Sequence, residues 1–543
     1  MGNPVQRNMK KAIKKRAPTP RYISPNQLSL DNFETPFDQQ LNPRNRWVVL
    51  AHLIPWDEVC NLYQRHIGIS TTGRPPLSPR LVIGSLIIKH LCNLDDREAV
   101  DQMSENLYMQ YFLGYSSFTT EAPFDPSLFV EFRKRLGMDN LNAINERIVA
   151  LKTRFEHKEE VAEQSSGNIS SSDKNSDAPE EDNKGRIIFD ATACPQDIAF
   201  PTDLDLLSDS REKLEEMIDK LYDPSRHEKK PRTYREVARK RYLQTAQKKK
   251  KTRKEIRKAI GSQLRFVKRD INQVNKLLDT YKSFPLTKKE QKYLMVINTL
   301  YDQQKEMYDS HKHSIEDRIV SIHQPHVRPI VRGKSRAYVE FGSKIHVSVI
   351  DGISFLDELS WDAFNEGNHM MKYVERFRER FSFYPREVLA DQIYCTRANR
   401  SDLKEKGIKL LAKPLGRPSA VQIHVSPGER NPIEGKFGQA KNAYGLNRIR
   451  ARLRGTSESW IACIFLVLNL VKLAGTALPC LMVSLLKSFS ARLLYKKGNR
   501  IASYKIAKIR FAHELEMEII KEIVLYCNGD ISKFKKLKSS NYT

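Results

Sequence analysis

The chain has 543 residues and carries 92 Lys and Arg against 65 Asp and Glu, a net charge of +27 with a pI near 9.6. A hydrophobic content of 40% excludes a wholly disordered chain and supports about two to four domains with buried cores. The cationic excess points to a polyanionic partner, nucleic acid ahead of a membrane surface, and seven cysteines without a Cys-x2-Cys pair exclude a disulfide framework or zinc site and fit a reducing cytoplasm.

Residues 1–22 hold seven Lys and Arg and no acid. With no apolar segment of a secretory signal there, residues 1–41 are expected to form a flexible basic arm. Residues 42–158 carry helical spacing throughout. Pro76-Leu77-Ser78-Pro79 opens one helix, Leu94 to Tyr115 reads as two short ones, and Gly137 closes another. The expectation is an all-α domain that binds DNA through a helix-turn-helix or serves packing and dimerisation. Residues 159–184, with eight acids, six serines and no aromatic, read as a solvated linker.

Arg186 to Ala193 is an apolar run interrupted by Asp190, the pattern of a buried strand carrying one carboxylate. Residues 204–330 then turn charged and helical. Between Lys229 and Lys258 lie 15 Lys and Arg and two Glu, which predicts a helical hairpin or coiled-coil-like arm with a basic stripe. From Lys344 to Ile350 the pattern alternates at period two, Asp351-Gly352 signals a hairpin turn, and Ile353 begins the return strand. A helix over 368–381, a strand over 386–391 ending in Asp391, a helix from Ser401 to Lys406 and a strand from Ile408 to Ala412 follow. Arg430, Glu434 and Lys441 then fall on one stripe of a further helix, an arrangement equally open to a solvated face with two ion pairs. The apolar stretch from Trp460 to Leu486 is split by Lys472 and interrupted by Gly475 and Pro479, so each run is shorter than the ~20 residues of a spanning helix. A buried core helix followed by a break is expected there, with no membrane partner.

Three carboxylates from two strands and one helix, Asp190, Asp391 and Glu434, suit a pair of Mg²⁺ or Mn²⁺ ions for phosphoryl transfer. Each acid also has a plainer reading, as a strand-end residue, an N-cap or a solvated side chain.

The segments FDATACPQDI, EVLADQIYCTRANRSDLKEKGIKLLAK and RNPIEGKFGQAKNAYGLNRIRARL resemble the three acidic blocks of bacterial insertion-sequence transposases of the DDE class. PPLSPRLVIGSLIIKHLCNLDDREAVDQMSENLYMQYFLG is similar to the N-terminal helical domain of the same group, and the likeness spans most of residues 42–473. The family's Tyr-x2-Arg-x3-Glu-x6-Lys signature maps onto Arg430, Glu434 and Lys441, with Pro427 in the tyrosine position. The resemblance implies an α/β RNase H-like catalytic domain over 185–473 with a large helical insertion at 204–330, preceded by the all-α domain and followed by a helical region at 474–543. It implies Asp190, Asp391 and Glu434 as the metal-binding catalytic triad for two Mg²⁺ or Mn²⁺ ions, and Arg430 and Lys441 as DNA contacts. Further backbone contacts are expected from Arg448, Arg450 and Arg452, and from Lys248, Lys249, Lys250 and Lys251 in the insertion. Tyr394, Arg397 and Asn399 either line the site or pack its loop. The implied partners are double-stranded DNA (element ends and target) and a second copy of the chain, in the cytoplasm at the nucleoid. A metal-dependent nuclease without strand transfer and a non-catalytic DNA-binding derivative are the alternative readings.

Overall fold

The computed structural model describes residues 40–67, 76–164, 183–331, 339–412 and 427–495. The basic arm up to residue 39, the linker from 165 to 182 and everything after 495 lie outside the described residues. Residues Met1–Gly475 form one compact unit and Thr476–Thr543 another.

The N-terminal part is helical. α1 (Arg46–Leu53), α2 (Trp56–Ile67), α3 (Pro79–Leu91), α4 (Asp96–Glu105) and α5 (Leu107–Leu113) lead to the long α6 (Leu128–Gln164). Gly137 (φ 67°) breaks α6 into two pieces, and its helical part runs six residues into the expected linker. Local signals explain the starts: Pro79 occupies the first turn of α3, and the Asp95 and Asn106 side chains cap α4 and α5.

β1 (Arg186–Pro195) opens the sheet. Four helices follow, α7 (Asp203–Leu221), α8 (Arg235–Ala246), α9 (Arg253–Leu278) and α10 (Lys288–Ser310), before β2 (Arg328–Val331) returns the chain to the sheet. These helices are a compact bundle rather than the expected hairpin or coiled-coil arm. Leu207, Leu214 and Ile218 of α7 meet Val267, Ile271 and Val274 of α9 and Ile297 and Leu300 of α10 in a core of their own. Thr252 with Glu255 and Thr287 with Glu290 form capping boxes that start α9 and α10.

β3 (Val339–Ile350) and β4 (Ile353–Ser360) make a hairpin whose turn, Asp351 (φ 49°) and Gly352 (φ 79°), has the left-handed backbone that a two-residue turn requires. α11 (Met370–Phe381), β5 (Glu387–Leu389), α12 (Arg397–Glu405), β6 (Lys409–Leu411), α13 (Asn431–Ala443) and α14 (Arg454–Tyr495) complete the described chain. The sheet runs β4-β3-β1-β5-β6, with β2 extending the outer edge of β3. β1 is antiparallel to β3, β3 to β4, while β5 lies parallel to β1 and β6 to β5.

One sheet face carries Ile188, Ile345, Val347 and Val349 into a core shared with the N-terminal helices, α13 and α14. The other carries Ile187, Phe189 and Val388 against Tyr373, Val374 and Phe377 of α11. α14 joins the N-terminal helices to the sheet through specific contacts. Trp460 meets His90 edge to face at 4.8 Å, with Lys89 above its ring. Ser459 donates to the Arg133 carbonyl at 2.8 Å. Asn469 donates to Asn145 Oδ1 at 2.9 Å and to the Ser354 carbonyl at 2.7 Å, and accepts from the Ser354 N–H at 2.8 Å. The expected break after Lys472 is absent, since α14 continues through Gly475 and Pro479. Among the described residues Arg454–Gly475 is the one stretch long and apolar enough to cross a membrane, and most of its apolar window is buried inside the fold.

Candidate active site

Asp190 sits within β1, on the face that packs against α13. Asp391 immediately follows β5. The parallel register pairs Ile188 with Leu389, and each aspartate lies two residues further along its chain, so the sheet delivers the two carboxylates side by side. Asp190 Oδ1 accepts from the Ala191 N–H and Asp391 Oδ1 from the Gln392 N–H, both at 2.8 Å. Asp391 is also the N-cap of the short 3₁₀ turn Gln392–Tyr394.

One cation lies between them. Arg430 places Nη2 3.5 Å from Asp190 Oδ2 and Nη1 3.2 Å from Asp391 Oδ1. Two carboxylates straddling one guanidinium are held close despite their like charge, because the planar fork offers each a donor. Burial pushes the Asp190 carboxyl up, and Asp391 and Glu366 add to that; the Ala191 N–H and Arg430 oppose it.

This differs from the helical stripe expected for Arg430. Arg430 is the N-cap of α13 at the end of a 3₁₀ turn, Pro427–Arg430. Pro432 belongs to the first turn of α13, the only place where a helix tolerates its missing N–H. The Arg430 side chain therefore turns toward β1 and β5, and its guanidinium is engaged by the aspartates. Glu434 lies one turn along α13 and is exposed, flanking the buried stripe of Ile433, Phe437 and Ala440. Among the described residues no three Asp, Glu, His or Cys side chains are grouped closely enough to hold a metal ion, so the expected triad is represented by two gathered carboxylates with Glu434 outside them. Glu429 is drawn to Arg186, at 3.7 Å.

Glu366 is a residue the sequence did not flag. It starts a 3₁₀ turn before α11, pairs with Lys344 of β3, and adds its field to Asp190 and to Tyr394. Tyr394 is fully buried, and its hydroxyl finds no hydrogen-bond partner among the described residues. Burial first, then Glu366 and Asp190, push the pKa of its hydroxyl up. Asn399 packs the loop, donating to the Gly367 carbonyl at 2.7 Å and the Tyr394 carbonyl at 2.8 Å. Arg397 is exposed at the start of α12.

Lys441 lies in the last turn of α13. Arg448, Arg450 and Arg452 lie on the connection from α13 to α14. Arg448 pairs with Asp197 at 2.9 Å, Arg450 lends its field to Asp95, and Arg452, after burial and Lys213, helps hold His323 below its ordinary range. Lys248 pairs with Glu255 at the start of α9, and Lys249, Lys250 and Lys251 are exposed in the turn between α8 and α9.

Comparison with known proteins places these elements. Residues 35–135 match the model of a transposase domain (DUF772), and residues 388–471 that of a transposase DDE domain. The second match includes Asp391 and Glu434 and begins after Asp190. Over 178 residues the chain is 33% identical to the uncharacterized protein ORF8 in the nfe locus of Rhizobium meliloti, covering 32% of this chain and 72% of that relative. No solved structure matches. A helical N-terminal transposase segment, followed by a DDE segment whose Asp391 is carried by the sheet to Asp190, places the chain among the insertion-sequence transposases of the DDE class.

Proposed function

We propose that this transposase binds the ends of its mobile element and cuts and joins DNA at a site built on Asp190 and Asp391, on an RNase H-like sheet. The observation that carries this reading is the meeting of those two carboxylates across one guanidinium. The sheet supports it: a central strand flanked on one side by an antiparallel hairpin and on the other by two short parallel strands is the arrangement expected of that fold.

The donor set fits a hard divalent cation. Two carboxylates, one of them raised by burial and further by the other, are oxygen ligands, and Mg²⁺ or Mn²⁺ takes such ligands once Arg430 yields them. Asp190 and Asp391 would hold the ions, with Glu434 joining from α13. Bound there, they supply charge stabilisation to attacking and leaving oxygens at phosphorus. Arg430, Lys441 and the cations of the α13–α14 connection orient the phosphate backbone. In the cutting step a water oxygen bonds to phosphorus, the P–O3′ bond breaks, and a 3′-hydroxyl is released. In joining, that 3′-hydroxyl bonds to a target phosphorus, and the target's own P–O3′ bond breaks.

The test is incubation of the purified protein and Mg²⁺ or Mn²⁺ with duplexes carrying the element's terminal repeats and a supercoiled target. Nicked ends and joined products support the full reading. Nicks without joining leave the nuclease alternative, and Asp190→Ala cutting at the wild-type rate would overturn the site.

A further inference from the structure

The helical insertion carries a second cationic surface that belongs to neither the aspartate site nor the Lys248–Lys251 turn. On α9, Lys254, Lys258, Arg265, Lys268, Asn272 and Lys276 are all exposed. At 100° per residue they fall within about 40° of one line along the helix. The track from Lys254 to Lys276 is about 33 Å long at 1.5 Å per residue, close to one turn of duplex DNA. The two acids of α9 are kept off it. Glu255 lies in the capping box and pairs with Lys248, and Asp270 is fully buried on the opposite side. Lys254, Lys258, Arg265, Lys268 and Lys276 have no ion pair among the described residues, so their charge is uncompensated.

Aromatic rings flank the track. Arg265, Lys268, Arg269 and Asn272 line a groove of about 430 Å³ together with Tyr301 and Tyr308 of α10. Lys268 Nζ lies 5.2 Å from the Tyr301 ring centre, and the Arg257 guanidinium 4.1 Å from that of Tyr308. Gly261 makes this possible, because a Cβ there would stand 2.5 Å from the Tyr308 hydroxyl.

We infer that this face of α9, with Tyr301 and Tyr308 beside it, is a docking track for the phosphate backbone of duplex DNA. The inference rests on the DNA-processing reading above and adds to it a surface remote in sequence from the carboxylates. Charge complementarity selects the occupant: a row of unpaired cations as long as a duplex turn matches an evenly spaced polyanion, and the tyrosine hydroxyls add phosphate donors. No base-reading role is assigned to it.

The experiment uses the full chain and a 30-base-pair duplex of arbitrary sequence, with binding followed by fluorescence anisotropy across a salt series. The probe variant is Lys254→Gln/Lys258→Gln/Arg265→Gln/Lys268→Gln, beside a charge-preserving control that exchanges each Lys for Arg and Arg265 for Lys. If all four cations meet phosphates, the slope of log K against log salt should become shallower by about 3.6, and affinity near 0.1 M salt should drop on the order of 100-fold. The control should bind as wild type. A neutralised variant with wild-type slope and affinity would overturn the track while leaving the aspartate site untouched. A wild-type protein that fails to bind any duplex would overturn the DNA reading itself. The same variants are titrated with labelled polyglutamate, and loss of polyglutamate binding with DNA binding intact would reassign the face to an acidic protein and likewise overturn the proposal.

Discussion

Arg430 and Asp190 meet at 3.5 Å, and the same guanidinium reaches Asp391 at 3.2 Å. A side chain read from its sequence spacing as a phosphate contact is thus a counter-ion to the carboxylates proposed to hold metal. A cation between two acids competes with any other cation for them. Arg430→Gln is therefore expected to tighten Mn²⁺ binding to the DNA-free protein several-fold, read by calorimetric titration, while weakening duplex binding. Unchanged Mn²⁺ affinity would mean that the guanidinium does not compete for the aspartates.

Glu434 and Glu366 are rivals for the third acid. Glu434 carries the family spacing and stands exposed one turn from Arg430; Glu366 is tied to Lys344. Glu366 would have to give up Lys344 before binding a cation, whereas exposed Glu434 has no such pairing to break among the described residues. Glu434→Gln is expected to lower the cleavage rate by about 10²–10³-fold, the scale of removing one transition-state stabiliser, and Glu366→Gln by less than about tenfold. The reverse ranking in single-turnover cleavage would assign the third position to Glu366.

Where physics acts locally, the chain was legible. Asp351-Gly352 marked its hairpin, Gly137 its helix end, and the placement of Asp190 inside an apolar run marked a carboxylate on a buried strand. The start of α13 was misread: spacing alone put Arg430 on the stripe of Glu434 and Lys441, although Pro432, tolerated only in a first helical turn, makes Arg430 the cap. Long-range pairing left no such trace. Leu207 and Leu214 meet Val267 and Ile271 in the insertion core, yet each helix alone shows only an amphipathic period, which a hairpin and a bundle share. Glu366 gave no signal, because its place beside Lys344 arises from β3 and a 3₁₀ turn 22 residues apart. The unbroken α14 overrode Gly475 and Pro479, which as local signals argued for a stop.

Asn469 tests whether α14 holds the N-terminal helices and the sheet together. Its amide satisfies both backbone groups of Ser354 and the side chain of Asn145, all within the core. Asn469→Ala leaves the Ser354 N–H and Asn145 Oδ1 buried without this partner and the Ser354 carbonyl with only the long contact from Asn145 Nδ2 at 3.5 Å, so a loss of about 3 kcal/mol in urea unfolding is expected. Limited proteolysis should show cleavage around α6 rising in parallel. A loss below about 0.5 kcal/mol would show that water replaces the amide and that this contact does not unite the elements.

Asp270 sets a pH dependence for the insertion. It is fully buried in α9, its Oδ2 lacks a hydrogen-bond partner, and Arg269 approaches Oδ1 at 3.3 Å. Burial pushes its carboxyl up to about 7, with Glu215 adding to the rise and Arg269 and Arg211 opposing it. A carboxyl whose folded value exceeds its unfolded value favours the folded state when protonated. The stability it contributes is present below about pH 4 and is lost as pH rises through about 7. Asp270→Asn keeps the shape and removes the buried charge, so it should stabilise the protein by about 2–4 kcal/mol at pH 8 and leave it nearly unchanged at pH 4. Chemical unfolding of both proteins at the two pH values measures the difference. Destabilisation at pH 8 would show that Arg269 and Arg211 hold the ionised carboxylate favourably there, so that the pairing, rather than burial, governs this position.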